Sequence, residues 1–239
     1  MTEATPETLE KLRHVSVATL ATALFRRGLR SQVIQSVGPV RPKGRNMVGP
    51  AFTLRYMPAR EDRNQLAVFR NPAHPQRHAV ETCPPGHVLV MDSRKDARAA
   101  SAGDILITRL MVRGGAGVVT DGGFRDAMSI AELDMPAYHA RPSSPTNLTS
   151  NEAIDINVPI GCGDAPVFPG DIVVGDDESV ILIPAHLADE VADEATEMTA
   201  YEDFVIGQVR SGETIIGLYP ATGEEVLKKF AEWRKANGR

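Results

Sequence analysis

Apolar positions recur at helical spacing near the start of the chain, through Leu9, Leu12, Val15, Leu20, Ala23 and Leu24. Thr5-Pro6 before them marks a helix start and Gly28 after them a stop. This predicts one N-terminal helix. A strand is expected over 51–56, and a short one near Val33 and Ile34. Residues 58–78 are polar, charged and proline-bearing, and read as a long surface segment. The centre alternates between two kinds of pattern. His87 to Asp92 and Ala116 to Thr120 are apolar, valine-bearing runs suited to buried strands. Between them, Ser101 and Asp104 have capping-box spacing ahead of an apolar stripe through Ile105, Leu106, Leu110 and Met111. Strand, helix, strand in this order predicts a parallel crossover. A second helix is expected over 125–133 and a third strand over 137–140.

Beyond residue 150 the pattern becomes a meander of short strands, over 154–160, 165–168, 172–174 and 180–183, with Pro169-Gly170 and Gly175-Asp176-Asp177 as turns. Asp176, Asp177 and Glu178 read as a solvated hairpin tip. A long acidic helix over 185–209 and a final helix over 223–235 close the chain. With no low-complexity linker and no repeat, residues 1–239 read as one domain. The expected class is α+β: a central mixed sheet with flanking helices, N-terminal helices and a C-terminal helical extension.

Composition narrows the function. The 239 residues hold 26 Lys plus Arg against 31 Asp plus Glu, a net charge of −5. That balance and the scarcity of aromatics argue against nucleic acid as a partner. No apolar run is long enough to cross a membrane, and the N-terminus lacks a signal-peptide pattern, so a cytoplasmic protein is expected. Cys83 and Cys162 are far apart, which rules out a disulfide framework and a four-cysteine zinc site. His74 and His78 lie four apart, but Pro75 follows the first, and they read as surface histidines. Lysines are few and none lies in an apolar strand, which argues against imine catalysis.

Two segments remain as candidate chemistry. Gly103-Asp104-Ile105-Leu106 opens a helix, where unpaired amides and the dipole attract a carboxylate. Asp121-Gly122-Gly123-Phe124-Arg125-Asp126 follows a parallel strand, where α/β sheets place ligands. Arg125 suits bidentate carboxylate recognition and Asp126 suits a hard divalent cation. Taken alone, Asp104 reads as a capping residue, and Arg125-Asp126 as a dipole-favoured acid beside a solvated arginine. If the fold brings the two helix starts to one cleft, carboxylate recognition and a metal ligand form a consistent set.

Met47-Val-Gly-Pro-Ala51, Gly103-Asp-Ile-Leu106 and Gly117-Val-Val-Thr-Asp-Gly-Gly-Phe-Arg-Asp126 resemble a known family. It contains regulator of ribonuclease activity A and the class II 4-hydroxy-4-methyl-2-oxoglutarate aldolases. The resemblance runs from about Val17 into the C-terminal region. It implies a layered β/β/α fold like the swivelling phosphohistidine domain, assembled as homotrimers or homohexamers. It also implies that Arg125 contacts bound pyruvate, that Asp126 ligates Mg2+ or Mn2+, and that Asp104 holds a metal-bound water. Amides of the Gly103–Leu106 stretch would take the pyruvate carboxylate. Glu202 of a neighbouring subunit, with Glu197 as the fallback, would complete the water shell. The implied activity is cleavage of a 4-hydroxy-2-oxo acid to release pyruvate, with oxaloacetate decarboxylation beside it. The alternative within the family is a non-catalytic protein-binding regulator of ribonuclease activity.

The chain departs from the family's pattern at Thr22-Ala23-Leu24, where the family often has Asp. It departs again at Ser93-Arg94-Lys95-Asp96, where a glycine cluster is usual and which is expected to border the cleft. The 58–78 segment is also distinctive.

Overall fold

The computed structural model describes residues 4–239. Its elements are α1 (Pro6–Leu12), α2 (Val17–Arg26), β1 (Gly38–Pro39), β2 (Met47–Pro58), a 3-10 turn (Leu66–Arg70), α3 (Pro75–Thr82), β3 (Val88–Asp92), β4 (Ala100–Ala102), α4 (Asp104–Val112), β5 (Gly117–Thr120), β6 (Gly123–Phe124), α5 (Ala127–Glu132), β7 (Ala137–His139) and β8 (Arg141–Pro142). After them come β9 (Asn151–Ile156), β10 (Ile160–Cys162), β11 (Ala165–Val167), β12 (Ile172–Gly175), β13 (Val180–Ile183), α6 (Ala188–Arg210) and α7 (Glu224–Asn237).

The main sheet runs β1-β7-β5-β3-β2-β12-β13, and β9 pairs with the far half of β2. Strands β2, β3, β5 and β7 are mutually parallel, and β12, β13, β9 and β1 add antiparallel pairs. Strict alternation gives the sheet two buried faces. Val88 and Val90 point with Val119, Val173 and Leu182 toward the β10–β11 hairpin, where Cys162, Ala165 and Val167 complete one core. Leu89 and Met91 point the other way, with Leu54 and Val118, onto α3, α4 and α5. At the β12–β13 end, Val174, Ile181 and Ile183 receive α1, α2 and α6. Hairpin, sheet and helices form the β/β/α layering implied by the resemblance.

Several expectations need correction. The single N-terminal helix is two, because Ser16 starts α2 as an N-cap whose hydroxyl accepts the Thr19 N–H at 3.1 Å. The 58–78 stretch is not simply surface: α3 begins within it, and His74, Gln76, Ala79 and Val80 are buried. His74 is therefore no surface histidine, and burial pushes its pKa down. The helix expected from Arg125 begins at Ala127. At the β12–β13 turn, Asp176 is pinned instead of merely solvated. Its carboxylate accepts the Val17 N–H at 2.8 Å and two amides of its own turn. The apolar side of α7 is used within the chain: Val226, Phe230 and Trp233 pack on Phe204, Val205 and Leu218, leaving Leu227 exposed.

Candidate active site

Three short strands set the site. β4, β6 and β8 follow the carboxyl ends of β3, β5 and β7, and pair in parallel as a second, three-stranded sheet. Ala102 stands beside Phe124 in register, and the Arg125 N–H donates to the Ala102 carbonyl at 3.0 Å. The next residues along the two strands are Gly103 and Arg125. The start of α4 and the approach to α5 are thereby forced side by side.

Buried hydroxyls lock this arrangement. Ser101 Oγ lies 2.6 Å from both Ser93 Oγ and Thr120 Oγ1, and Thr120 Oγ1 also accepts the Gly122 N–H at 2.9 Å. A side chain at residue 122 would collide with this cluster, since a Cβ there falls 2.6 Å from Ser93 Cβ. Asp121 is a structural carboxylate. It is buried and accepts amides from Ser93, Lys95 and Gly163 at 2.6, 3.0 and 3.2 Å. Burial nevertheless lifts its carboxyl above the usual range. Two readings made from the sequence change here. Ser101 is no helix cap but the middle of β4, and α4 is capped by Gly103 with no side-chain bond. The side chains of Ser93-Arg94-Lys95-Asp96 do not line the cleft: Lys95 pairs with Asp164, Arg94 bonds Asn151, and Ser93 joins the hydroxyl cluster.

The resulting cleft has a volume of about 280 Å³. Gly103, Asp104, Ile105, Leu106, Arg125 and Asp126 all line it. Asp126 sits in the left-handed region at φ 54° and ψ 36°, and its carboxylate caps nothing. A Cβ on Gly103 would lie 3.2 Å from Asp126 Oδ2, so glycine leaves the approach to that oxygen open. Asp104 Oδ1 accepts the Ile105 N–H at 2.7 Å, and the Leu106 N–H goes to the Gly103 carbonyl at 3.1 Å. The amides of Ile105 and Leu106 are thus engaged within the first turn. A carboxylate taking the Ile105 N–H has to displace Asp104 from it. Ile105 itself is 81% exposed and does not continue the buried stripe, which is carried by Ile107 and Leu110.

Other lining residues were not anticipated: Phe69, Gln76, Arg77, Thr146 and Asn147. The signal for α3 was present in His74-Pro75, with proline at the first helical position and Ala79, Val80 and Cys83 beyond it. Among the described residues neither Arg77 nor Arg125 forms an ion pair. Glu202 and Glu197 lie elsewhere. Both face a separate groove with Arg26, Tyr201 and Phe230. Glu202 accepts the Thr19 hydroxyl at 2.7 Å and the Tyr219 hydroxyl at 3.3 Å, and Glu197 pairs with Arg234. Neither reaches the Asp126 cleft of its own chain.

The donor chemistry of the cleft is oxygen only. Asp104 and Asp126 are its two carboxylates, and among the described residues no three His, Cys, Asp or Glu side chains cluster to hold a metal. The pair fits Mg2+ or Mn2+, which accept one or two carboxylates and fill their remaining positions with water and substrate oxygens.

A family model described as RraA-like, Aldolase/RraA, matches residues 17–182. The chain belongs to the aldolase/RraA family. A protein of Halalkalibacterium halodurans named "Putative 4-hydroxy-4-methyl-2-oxoglutarate aldolase" is 31% identical over 166 residues, covering 69% of this chain and 73% of that one. Protein DlpA of Legionella pneumophila is 25% identical over 210 residues, covering 88% of this chain but only 33% of its own length. Among solved structures, RraAS2 of Streptomyces coelicolor is described as an unusual member of the RNase ES inhibitor RraA protein family. It matches with a TM-score of 0.74 at 30% identity, over 85% of this chain and 98% of that chain. A protein of Pseudomonas syringae pv. tomato shares the fold, with a TM-score of 0.78 at 23% identity over 92% of this chain and 100% of that one. The two candidate segments both fall inside the range that matches the aldolase/RraA family.

Proposed function

We propose that this aldolase/RraA chain is a divalent-cation-dependent lyase that cleaves 4-hydroxy-2-oxo acids to release pyruvate, with oxaloacetate decarboxylation as a side activity. One observation carries the reading: β4–β6 pairing brings Gly103–Leu106 and Arg125-Asp126 to one cleft with Arg125 unpaired. Asp126 would hold Mg2+ or Mn2+, and the cation would supply Lewis-acid polarisation of the 2-oxo group.

The chain's own residues do the rest. Arg125 is exposed in the cleft and free to grip the pyruvyl head with its planar fork. It places positive charge where the reaction builds negative charge. The substrate carboxylate takes the Ile105 N–H, and Asp104, displaced from it, turns toward the reacting centre. In the cleavage the 4-hydroxyl loses its proton, the C3–C4 bond breaks, and C4 leaves as a carbonyl. The electron pair left at C3 delocalises into the 2-oxo group, and C3 then takes a proton. Asp104 Oδ1 and Oδ2, with Glu202 of a neighbouring copy, orient the water that moves that proton.

Supply of Glu202 from a neighbour implies a closed ring, and we assign a homotrimer or homohexamer. The exposed apolar side chains of Ile105, in the cleft wall, and Met128, two residues past Asp126, at 81% and 79%, suit burial by such a neighbour. The regulator alternative draws on the family description and on the Streptomyces relative. A binding surface has no need of Arg125 and Asp126 converging on a cleft.

The test is pyruvate release from a panel of 4-hydroxy-2-oxo acids, with Mg2+ and with EDTA. Metal-dependent release from at least one of them is expected. No release from any, with Mg2+ or Mn2+ present, contradicts the reading.

A further inference from the structure

The segment 65–73 stands beside the cleft, yet little joins it to the rest of the fold. None of its side chains is buried, and Leu66 is 72% exposed. Among the described residues, its hydrogen bonds stay within the segment or reach only the adjoining His74. The Val68 N–H donates to the Gln65 carbonyl at 3.0 Å and the Asn71 N–H to the Val68 carbonyl at 3.1 Å. The Ala73 N–H donates to Asn71 Oδ1 at 3.0 Å, and the His74 N–H to the Asn71 carbonyl at 3.0 Å. Phe69 leans on the body of the fold. Its ring takes the Arg77 guanidinium on one face, 3.8 Å from the centroid, and meets the His74 ring edge-on at 5.1 Å. The same ring lines the cleft.

The two ends are fixed. Asn64 and His74 are both buried. Asn64 Oδ1 accepts the Arg60 N–H at 2.6 Å, and the Ala59 N–H donates to the Ser150 carbonyl at 3.0 Å. His74 leads into α3, where the Gln76 amide donates to the Ser101 carbonyl at 2.6 Å. Each end nevertheless keeps a buried nitrogen with no partner, Asn64 Nδ2 and His74 Nδ1. Buried polar atoms are normally satisfied, so a pair of exceptions calls for a reason. A segment with two positions about these ends supplies one: atoms left over in one position find partners in the other.

We infer that 65–73 is a lid hinged at Asn64 and His74, that the exposed position seen here is its open one, and that it closes over the Arg125-Asp126 cleft on a bound 2-oxo acid, with Phe69 as the side chain that meets the ligand. The inference rests on reading the cleft as a 2-oxo acid site. Swinging the segment costs no hydrogen bond to another element, and a ligand in the cleft gives Phe69 a further surface to pack on. Closure withdraws water from Arg125 and Asp104, which strengthens the electrostatic interactions of both with the reacting group.

The experiment is hydrogen–deuterium exchange read by mass spectrometry, with Mg2+ alone and with Mg2+ plus pyruvate, whose binding is followed separately by calorimetry. Wild type and Phe69→Ala are compared. With Mg2+ alone, 65–73 is expected to exchange fast and α3 slowly. Saturating pyruvate is expected to slow 65–73 about tenfold, as for a lid closed about nine-tenths of the time. In Phe69→Ala most of that slowing is lost, while β3 and β5 stay protected; should the variant fold poorly, the wild-type comparison decides. Slow exchange of 65–73 with Mg2+ alone, the result if a neighbouring copy already covers it, overturns the inference. Pyruvate binding that leaves 65–73 as fast as before overturns it too, as does undiminished slowing in Phe69→Ala. Slowing without pyruvate release from any hydroxy-oxo acid contradicts the lyase reading alone. Pyruvate release with 65–73 unslowed contradicts the lid alone. No binding of pyruvate contradicts both.

Discussion

Replacing Asp126 by glycine is expected to remove activity while leaving the protein as stable as before, or more so. The residue adopts φ 54° and ψ 36°, and its carboxylate forms no cap bond that could be lost. An L-residue pays about 1–2 kcal/mol to sit in this region, with Asp toward the lower end. Glycine removes that cost but loses more backbone entropy on folding, about 0.5–1 kcal/mol. The net change for Asp126→Gly is thus about 0 to 1 kcal/mol of stabilisation. Asp126→Ala keeps the full steric cost, so it should lie about 1 kcal/mol below the glycine variant. In a chain of this size that is a Tm gap of about 2–4 °C. Thermal unfolding followed by circular dichroism, with pyruvate release assayed on the same preparations, reads both effects. Strain retained at a position where glycine would be easier marks a residue kept for its side chain. A glycine variant no more stable than alanine, or one that turns over normally, refutes this reasoning.

Thr120→Val preserves shape but strands the buried Gly122 N–H and breaks the hydroxyl cluster with Ser101. Urea unfolding should show a loss of about 1–3 kcal/mol, against less than about 0.5 kcal/mol for Thr82→Val on an exposed helix face. Both cysteines are buried, and burial pushes the Cys83 thiol up to about 12 and Cys162 upward as well. At pH 8 neither should react with an aromatic disulfide reagent in the native protein within minutes, and both should react in denaturant. Mixing Asp126→Ala with Glu202→Ala should restore part of the activity after subunit exchange, since mixed rings contain sites with both residues intact. Absence of rescue after proven exchange places Glu202 outside the site.

Much of the site was legible because its scaffold is simple. Within the runs His87–Asp92 and Ala116–Thr120, Val88 to Met91 and Val118-Val119 are apolar on both sides of the pleat, and strands buried on both faces leave that mark. Glycine with an acid after each run marked the approach to both helices, although α5 begins only at Ala127. What the pattern misassigned were polar side chains that tertiary packing buries. Ser101 and Asp104 have capping-box spacing, yet the hydroxyl belongs to a cluster with Ser93 and Thr120 that is assembled only in the fold. Gln76 and His74 made their segment look like surface, while their partners lie on β4, the 3-10 turn and the Asn147 loop. Glu202 is the remaining gap: one chain places it beside Thr19 and Tyr219, and only an assembly can bring it to Asp126.

The central claim is that Asp126 and Arg125 form a divalent-cation site for the pyruvyl head of a substrate. The most direct measurement is Mn2+ affinity, read by electron paramagnetic resonance with and without pyruvate, for wild type, Asp126→Gly and Arg125→Lys. The account predicts that pyruvate tightens Mn2+ binding in wild type, that Asp126→Gly loses the ion, and that Arg125→Lys binds it but loses most of the pyruvate effect. Wild-type affinity and pyruvate dependence surviving in Asp126→Gly would contradict it.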